Sequence, residues 1–382
     1  MFGTCPAPAD DGGDHHQHVL DEIDAAEDDE VPQPVGVAGH AGDQRADPML
    51  AEIPHRQAVE MAIHLVAQIA GDELVKSDAL DEAAAFAEAL GCPAYQQSVP
   101  YGAHFLSESP CFMGALTRSQ PQVREILSAY DLLIVLGADP LRMSVHSEVE
   151  PLPAGMPVVQ VGLVDWDIAK NYPVEIALKA DVKETLKALI PLLPPSGKEP
   201  PKNNWSARRR TLAETLSKNK DRQPIDPDWL ALQVIEALPR NAILVDEGLT
   251  ASRHVQALMP YRDRHAYHGL ASGGIGWGLP GAVGASLANP DRPVVCFTGD
   301  GSAMYTFQAL WTAAHHKLPL TVVIVNNGGY RIIKQRLLSF HKSDRFVGMD
   351  FADPPVDFCA LAGALGVPAT RVTDPNALPG VL

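Results

Sequence analysis

Short apolar runs alternate with helical patterns from about residue 62 onward, and this alternation most constrains what the chain can fold into. The run at 131–136 is too short for a helix and consists mostly of Leu, Ile and Val, which is typical of a strand buried on both faces of a parallel sheet. Further strands are predicted at 157–161, 242–246, 293–298 and 320–325. Strands separated by helices predict an α/β protein with parallel, Rossmann-like sheets.

Helical periodicity fills the intervals between the predicted strands. The pattern that starts at Ser77 predicts a helix to residue 90, with Ser77 as its N-cap and Gly91 as its stop. Other helices are predicted at 181–190, 279–287, 303–316 and 330–338, and a strand-like run at 367–372.

The domain organisation follows from shifts in composition. Residues 1–61 are acidic and have little apolar periodicity, so we expect this segment to be disordered or unrelated to the rest. Residues 62–193 are predicted to form a central α/β domain. Five prolines fall within 191–204, and we interpret 194–204 as a linker. Residues 205–382 are predicted to form a second α/β domain that is short at its C-terminus.

Charge and composition exclude several classes of function. The net charge is −17, but residues 1–60 hold 14 acidic and 2 basic residues, a net of −12, which leaves −5 for the remainder. No basic surface is indicated, so we expect no nucleic-acid role. The sequence has no apolar run long enough to span a membrane and no secretory signal. Its five cysteines form no CxxC pair, so the default setting is the reducing cytoplasm.

The run Gly299-Asp300-Gly301-Ser302 follows the predicted strand at 293–298. Glycines let the backbone approach a phosphate, and exposed N–H groups suit an anion. An acidic side chain would repel that anion unless a cation lies between them. Asp300 therefore implies a bridging metal, and Mg²⁺ is the natural candidate because it binds a few protein oxygens together with phosphate.

A second motif, Asn326-Asn327-Gly328-Gly329, follows the next strand, and Asn327 lies 27 residues beyond Asp300. That spacing fits one helix and one strand. If the two strands are parallel neighbours, both motifs lie at the carboxyl edge of the sheet, where α/β folds bind ligands. A carboxylate and an amide oxygen would then converge on one metal–diphosphate site.

A competing motif is Gly276-Trp-Gly278-Leu-Pro-Gly281, which fits the G-x-G-x-x-G dinucleotide pattern. Residues 267–272 argue against a dinucleotide site, because they do not resemble the buried strand and tight turn that the pattern requires. Asp300 is also flanked by glycines and paired with Asn327 in a second motif, neither of which a ribose-binding acid would need. A nicotinamide dehydrogenase is therefore the less favoured hypothesis.

The combination of Gly299-Asp300-Gly301 with Asn326-Asn327 resembles the diphosphate-binding motif of thiamine-diphosphate-dependent enzymes. Residues 299–314 resemble benzoylformate decarboxylase and its relatives more than acetolactate synthases. The resemblance covers residues of about 62–378, as the central and diphosphate-binding domains of that family. It implies thiamine diphosphate and Mg²⁺ as cofactors.

The resemblance also implies roles for single residues around the diphosphate. Asp300, Asn327 and the Gly329 carbonyl would ligate Mg²⁺. The hydroxyl groups of Ser302 and Thr250 would donate hydrogen bonds to the diphosphate. Further cofactor contacts are implied for Leu249, Gly299, Gly301 and Tyr330.

On the thiamine side, Ile275 would be the bulky side chain that forces the bent conformation of the cofactor. The Gly273 carbonyl would accept from its pyrimidine amino group. Ile332 and Ile333 resemble positions that face the substrate. Catalytic residues are not identified: His146 or Ser144 could reach the site, although an ordinary surface loop is the favoured interpretation for both.

The family's pyrimidine-binding domain, whose glutamate activates the cofactor, has no counterpart before residue 62 in this interpretation. We therefore expect a fragment that binds the cofactor weakly and shows no decarboxylation on its own.

The resemblance implies a carboxy-lyase or carboligase that acts on a small 2-oxoacid, aromatic or aliphatic. Two alternatives stay open: an acetolactate-synthase-like enzyme, and a non-catalytic cofactor-binding fragment or partner subunit. The resemblance also implies a homodimer or homotetramer with the active site at the interface.

Overall fold

The structure, a computed structural model, describes residues 65–143, 147–194 and 197–382. Within these residues the chain forms two parallel β-sheets flanked by helices. The predicted α/β class is confirmed. The acidic segment at 1–61 lies outside the described residues, as do the candidate residues Ser144 and His146.

The first sheet has six strands in the order β3-β2-β1-β4-β5-β6, and every neighbouring pair is parallel. Its central strands are apolar and buried, which explains why a parallel sheet covered on both faces forms here. The strands are β1 (Val66–Ala70), β2 (Ala94–Gln96), β3 (Phe112–Ala115), β4 (Leu132–Leu136), β5 (Val158–Gly162) and β6 (Ile176–Lys179). The helices are α1 (Asp72–Lys76), α2 (Leu80–Leu90), α3 (Gln120–Leu127) and α4 (Val182–Leu189), followed by a 3₁₀ turn at Ile190–Leu192.

The second sheet has four parallel strands in the order β10-β9-β7-β8. Its strands are β7 (Ile243–Glu247), β8 (Tyr267–Gly269), β9 (Val294–Gly299) and β10 (Leu320–Val325). Helices α5 (Trp205–Leu216) and α6 (Pro227–Ala237) precede it, with a 3₁₀ turn at Ser217–Asn219 between them. The remaining helices are α7 (Val255–Leu258), α8 (Gly278–Ala288), α9 (Asp300–Thr306), α10 (Ala309–His315), α11 (Arg331–His341), α12 (Phe358–Ala364) and α13 (Leu378–Val381), with 3₁₀ turns at Leu249–Ser252 and Pro375–Ala377.

Alternate residues of a strand face different cores, as the two-residue repeat of a strand requires. In β1, Ile69 packs into a cluster on one side of the first sheet, whereas Ala70 packs into a larger cluster on the other side. In β7, Leu244 joins that same larger cluster, while Val245 packs into a third one. The two sheets therefore share one hydrophobic core.

The predicted start of α2 is wrong. Ser77 ends α1, because its backbone N–H and its hydroxyl both donate to the Glu73 carbonyl, and Asp78 then adopts a left-handed conformation with φ 55°. The helix begins at Leu80 and stops at Gly91, whose φ of 60° suits glycine. The predicted stop is therefore confirmed.

Three other predictions in the second half are wrong. The helix predicted at 303–316 is two short helices, α9 and α10, separated by a turn at 307–308. Residues 367–372 form no strand in the described chain. Residues 267–269 do form a short strand, β8, because Tyr267 is buried against the core and pairs with Leu244.

No helix among the described residues combines the length and the apolar character needed to cross a membrane.

Candidate functional site

Three strand ends of the second sheet meet at its carboxyl edge. Val325 of β10 is in register with Gly299 of β9, and Thr298 is in register with Glu247 of β7. The segments that follow these strands therefore start side by side, as the parallel-neighbour argument expected.

Asp300 connects the two motifs. Its side chain is buried, with 1% exposed, and one carboxylate oxygen accepts from the Gly301 N–H at 2.9 Å. The other oxygen accepts from the Gly329 N–H at 3.0 Å, across 29 residues of sequence. Burial raises the pKa of the Asp300 carboxyl, while these backbone N–H donors lower it. A charge is thus held at the edge of the sheet by hydrogen bonds from both motifs.

The loop after β10 is fixed by a close backbone approach. Tyr330 N–H donates to the Met349 carbonyl at 2.9 Å, and a Cβ on Gly329 would lie only 2.2 Å from that same carbonyl oxygen. Gly328 has a φ of +75°, a conformation that favours glycine. The two glycines are therefore required for this loop to bring Gly329 to Asp300.

A single pocket is bounded by these loops and by the segments after β7 and β8. Most of the predicted cofactor and substrate residues line it, together with Gly248 and Arg331, which the sequence did not single out. The lining residues are Gly248, Leu249, Thr250, Ile275, Gly299, Asp300, Gly301, Ser302, Asn327, Gly329, Tyr330, Arg331, Ile332 and Ile333. Of the predicted contacts, Gly273 is not part of this lining.

Ser302 provides a test of whether the pocket fits a phosphate group. Its side chain is buried, with 2% exposed, and its hydroxyl has no hydrogen-bond partner among the described residues. An unpartnered buried hydroxyl costs roughly 1–3 kcal/mol, so native structures seldom keep one without a ligand or water to meet it. A hydroxyl donor in the pocket wall suits an anionic oxygen, and the residues present fit the diphosphate.

The donors available to a cation are oxygens. No group of three or more His, Cys, Asp or Glu side chains in the described part of the chain is placed to hold a metal. Among the described residues that line the pocket, Asp300 is the one acid, and Asn327 and the Gly329 carbonyl add neutral oxygens. Such a set suits Mg²⁺ bound together with phosphate oxygens and does not suit zinc, which prefers nitrogen and sulfur.

Ile332 and Ile333 lie in the first turn of α11 and in the pocket wall, with Ile333 45% exposed. Arg331 precedes them in the same wall. Arg336, one turn further, lies over the Phe340 ring at 5.7 Å and is not part of the lining. This end of the pocket therefore combines apolar side chains with Arg331.

Glu247 occupies the backbone donors that a dinucleotide would need. Its two carboxylate oxygens accept from the N–H groups of Gly276 and Gly278, each at 2.6 Å. Residues 267–269 do form a strand, so that ground for setting aside the dinucleotide pattern was wrong. The N–H groups of the glycine motif nevertheless donate to the Glu247 carboxylate, so they are not free to bind a diphosphate.

Comparison with known proteins bears on the identity of this site. The family description "Thiamine pyrophosphate enzyme, central domain" matches residues 65–189, and "Thiamine pyrophosphate enzyme, C-terminal TPP binding domain" matches residues 248–382. Together the two matches cover more than half of the chain. The chain belongs to the thiamine pyrophosphate enzyme family.

Individual relatives of this thiamine pyrophosphate enzyme extend the match. Benzoylformate decarboxylase of Pseudomonas aeruginosa is 33% identical over 358 residues, which cover 92% of this chain and 65% of that protein. Because 92% of the chain is covered, the similarity begins upstream of residue 62, where the motifs alone placed its start. The acetolactate synthase large subunit of Parasynechococcus marenigrum is 30% identical over 260 residues, 64% of this chain and 39% of that protein.

Among solved structures, the thiamine diphosphate-dependent 4-hydroxybenzoylformate decarboxylase of Rhodococcus jostii RHA1 is similar with a TM-score of 0.71 and 29% identity. The match covers 83% of this chain and 59% of that one. The chain thus spans less than two thirds of the length of each of these relatives.

Proposed function

We propose that the pocket at the carboxyl edge of the second sheet binds thiamine diphosphate through Mg²⁺. The chain would thereby contribute the diphosphate half of the active site of a 2-oxoacid decarboxylase or carboligase. The observation that carries this proposal is the meeting of Asp300, Asn327 and the unpartnered Ser302 hydroxyl in one pocket.

In this proposal each side of the pocket has its own task. Asp300, Asn327 and the Gly329 carbonyl hold Mg²⁺, and the hydroxyls of Ser302 and Thr250 donate to the diphosphate. The backbones of Leu249, Gly299, Gly301 and Tyr330 complete the cradle. When bound, thiamine diphosphate would supply a carbon nucleophile and an electron sink for the reaction of a 2-oxoacid.

At the other end, Ile275 supports the thiamine part, and the Gly273 carbonyl accepts from its amino group. Ile332 and Ile333 contact a small 2-oxoacid. The names of the relatives favour a benzoylformate-decarboxylase-like lyase, and the acetolactate synthase match supports a carboligase as the second candidate.

The described part of the pocket wall contains Asp300 as its single acidic residue, and the Glu247 carboxylate is engaged by two backbone N–H groups. Neither is available to activate the aminopyrimidine. We propose that the carboxyl group that activates the aminopyrimidine comes from outside the described residues, at an interface in a homodimer or homotetramer. A non-catalytic role as a partner subunit is the alternative if no such group reaches the pocket.

We also propose a cytoplasmic setting, and a division into a central domain at 62–193, a linker at 194–204 and a cofactor domain at 205–382.

The test is calorimetric titration of the full chain with thiamine diphosphate, with and without Mg²⁺. Binding should require Mg²⁺ and should be lost in Asp300→Ala. Asp181→Ala is the matched control, because Asp181 also accepts a backbone N–H but caps α4 of the first sheet. Binding that is independent of Mg²⁺, or unchanged in Asp300→Ala, would refute the proposal.

A further inference from the structure

Glu247 is a buried acid that the proposed chemistry does not use. It ends β7 with 2% of its surface exposed, and both of its carboxylate oxygens accept short backbone hydrogen bonds, from Gly276 and Gly278. Burying a carboxylate is costly unless hydrogen bonds compensate it. Both compensating hydrogen bonds come from one turn, which indicates that Glu247 fixes the position of that turn.

The turn in question is 273–278, between β8 and α8. Gly273 and Gly276 have φ of +78° and +89°, values that favour glycine. A Cβ on Gly278 would lie 2.8 Å from a Glu247 carboxylate oxygen, so the turn approaches the acid closely because it has no side chain there. The Gly276 carbonyl also accepts from the Thr306 hydroxyl of α9 at 2.6 Å. The turn is therefore held from β7 and from α9 together.

This turn carries Ile275, which lies directly before the doubly held Gly276 and lines the pocket together with Asp300 and Ser302. Glu247 itself is not in the pocket wall, and its side-chain hydrogen bonds in the described chain go to the turn alone. The side chain of Glu247 can therefore affect a ligand through the placement of this turn, and Ile275 is the residue of the turn that lines the pocket.

We propose that Glu247 is a positioning residue that holds the 273–278 turn so that Ile275 contacts the thiamine part of the cofactor. The proposal rests on the proposed function of the pocket. It predicts a selective defect: loss of the Glu247 carboxylate weakens the contact with the thiamine moiety but leaves the diphosphate cradle in place. A merely structural role would weaken both or neither.

The experiment compares two ligands on the full chain: thiamine diphosphate with Mg²⁺, and inorganic diphosphate with Mg²⁺. Glu247→Gln keeps the size of the side chain but turns its amide nitrogen toward one of the two N–H donors. Since the turn loses one of its two hydrogen bonds to the charged carboxylate, we expect the Kd for thiamine diphosphate to rise about tenfold or more. The Kd for inorganic diphosphate should stay within about twofold, because the cradle is intact.

Glu73→Gln is the matched control. Glu73 is also buried and also accepts two backbone N–H groups, from Leu163 at 2.7 Å and Val164 at 3.3 Å, but it lies in α1 and does not line the pocket. This variant should bind both ligands as the unchanged protein does. Hydrogen–deuterium exchange provides a readout without ligand: the amides of 276–278 should exchange faster in Glu247→Gln and not in Glu73→Gln.

Ile275→Ala separates positioning from a general loss of fold. If Glu247 acts through Ile275, adding Glu247→Gln to Ile275→Ala should change the Kd for thiamine diphosphate by less than about twofold. Glu247→Asp, which keeps the charge, serves if the amide variant does not fold, and should show the same selectivity. Equal weakening of both ligands, or additive effects in the double variant, would overturn the positioning role. Absence of Mg²⁺-dependent binding in the unchanged protein would instead refute the function of the pocket.

Discussion

Replacing Ser302 by alanine should have opposite effects on the free and the bound protein. The Ser302 hydroxyl is buried in the pocket wall and has no partner among the described residues. In the ligand-free protein this hydroxyl is a buried polar group without a hydrogen bond, so its removal should raise the free energy of unfolding by about 1 kcal/mol. With the diphosphate bound it should donate to a charged oxygen, a bond worth about 1.5–3 kcal/mol. The Kd for Mg²⁺–thiamine diphosphate should therefore rise roughly tenfold to a hundredfold.

Ser286 supplies a matched control for this prediction. Its hydroxyl is equally buried and unpartnered in the described chain, but Ser286 lies in α8 and does not line the pocket. Both serines are helical, so the better helix propensity of alanine contributes equally to both variants. Ser286→Ala should stabilise the ligand-free protein as Ser302→Ala does and should leave the Kd unchanged.

Urea denaturation without ligand gives the free energies of unfolding, and calorimetric titration gives the Kd. The reasoning fails if Ser302→Ala destabilises the ligand-free protein by more than about 1 kcal/mol, because its hydroxyl would then have a partner that we have not recognised. It also fails if the Kd stays within about twofold, because the hydroxyl would then not meet the diphosphate.

Three further predictions concern the metal, the loop and the first sheet. Because burial raises the pKa of the Asp300 carboxyl, lowering the pH from 7.5 toward that raised pKa should protonate it and weaken Mg²⁺-dependent binding. A loss no larger than protonation of the diphosphate itself causes would mean that Asp300 is not a ligand. Gly329→Ala should destabilise the loop after β10 by about 1–3 kcal/mol and abolish binding, because its Cβ would lie 2.2 Å from the Met349 carbonyl, whereas Gly363→Ala, where a Cβ meets nothing within 4 Å, should be tolerated. Burial lowers the pKa of His104 to about 4, so the unfolded chain binds a proton before the native state does, and stability is lost as the pH falls from about 6.5 toward 4. Urea denaturation should show that His104→Leu removes about 2 kcal/mol of the difference in stability between pH 7 and pH 5, and an unchanged difference would mean that His104 is accessible to protons in the native state.

The sequence was sufficient to predict that Asp300 and Asn327 meet at one edge of the second sheet, because the signals are local. A glycine-flanked acid directly after an apolar run has few structural interpretations, and parallel strands bring Asp300 and Asn327 to one edge whatever the helices between them do. The pocket does contain both residues. The roles of these residues in cofactor binding stay predictions.

Other features depend on contacts between distant residues, which periodicity does not reveal. In the sequence Glu247 is simply a polar residue at the end of a predicted strand. Its hydrogen-bond partners, Gly276 and Gly278, lie 29 and 31 residues later. The strand β8 has only three residues, and the burial of Tyr267 rather than any alternating pattern places it in the sheet. Serine is a common N-cap residue, but the Ser77 hydroxyl donates to the carbonyl of Glu73, four residues earlier, and Ser77 therefore ends a helix.

Three buried acids lie at the carboxyl edge of the second sheet, and their hydrogen-bond partners explain why we propose a metal at only one of them. Asp246 accepts from the Gly248 N–H and from the hydroxyls of Ser252 and Tyr267, and Glu247 accepts from two backbone N–H groups. Neither lines the pocket, so their charges are balanced within the protein. Asp300 accepts one N–H on each oxygen and does line the pocket, and a carboxylate has about four lone-pair sites. Because Asp300 is the acid that lines the pocket, we propose that a cation lies between its carboxylate and a bound phosphate.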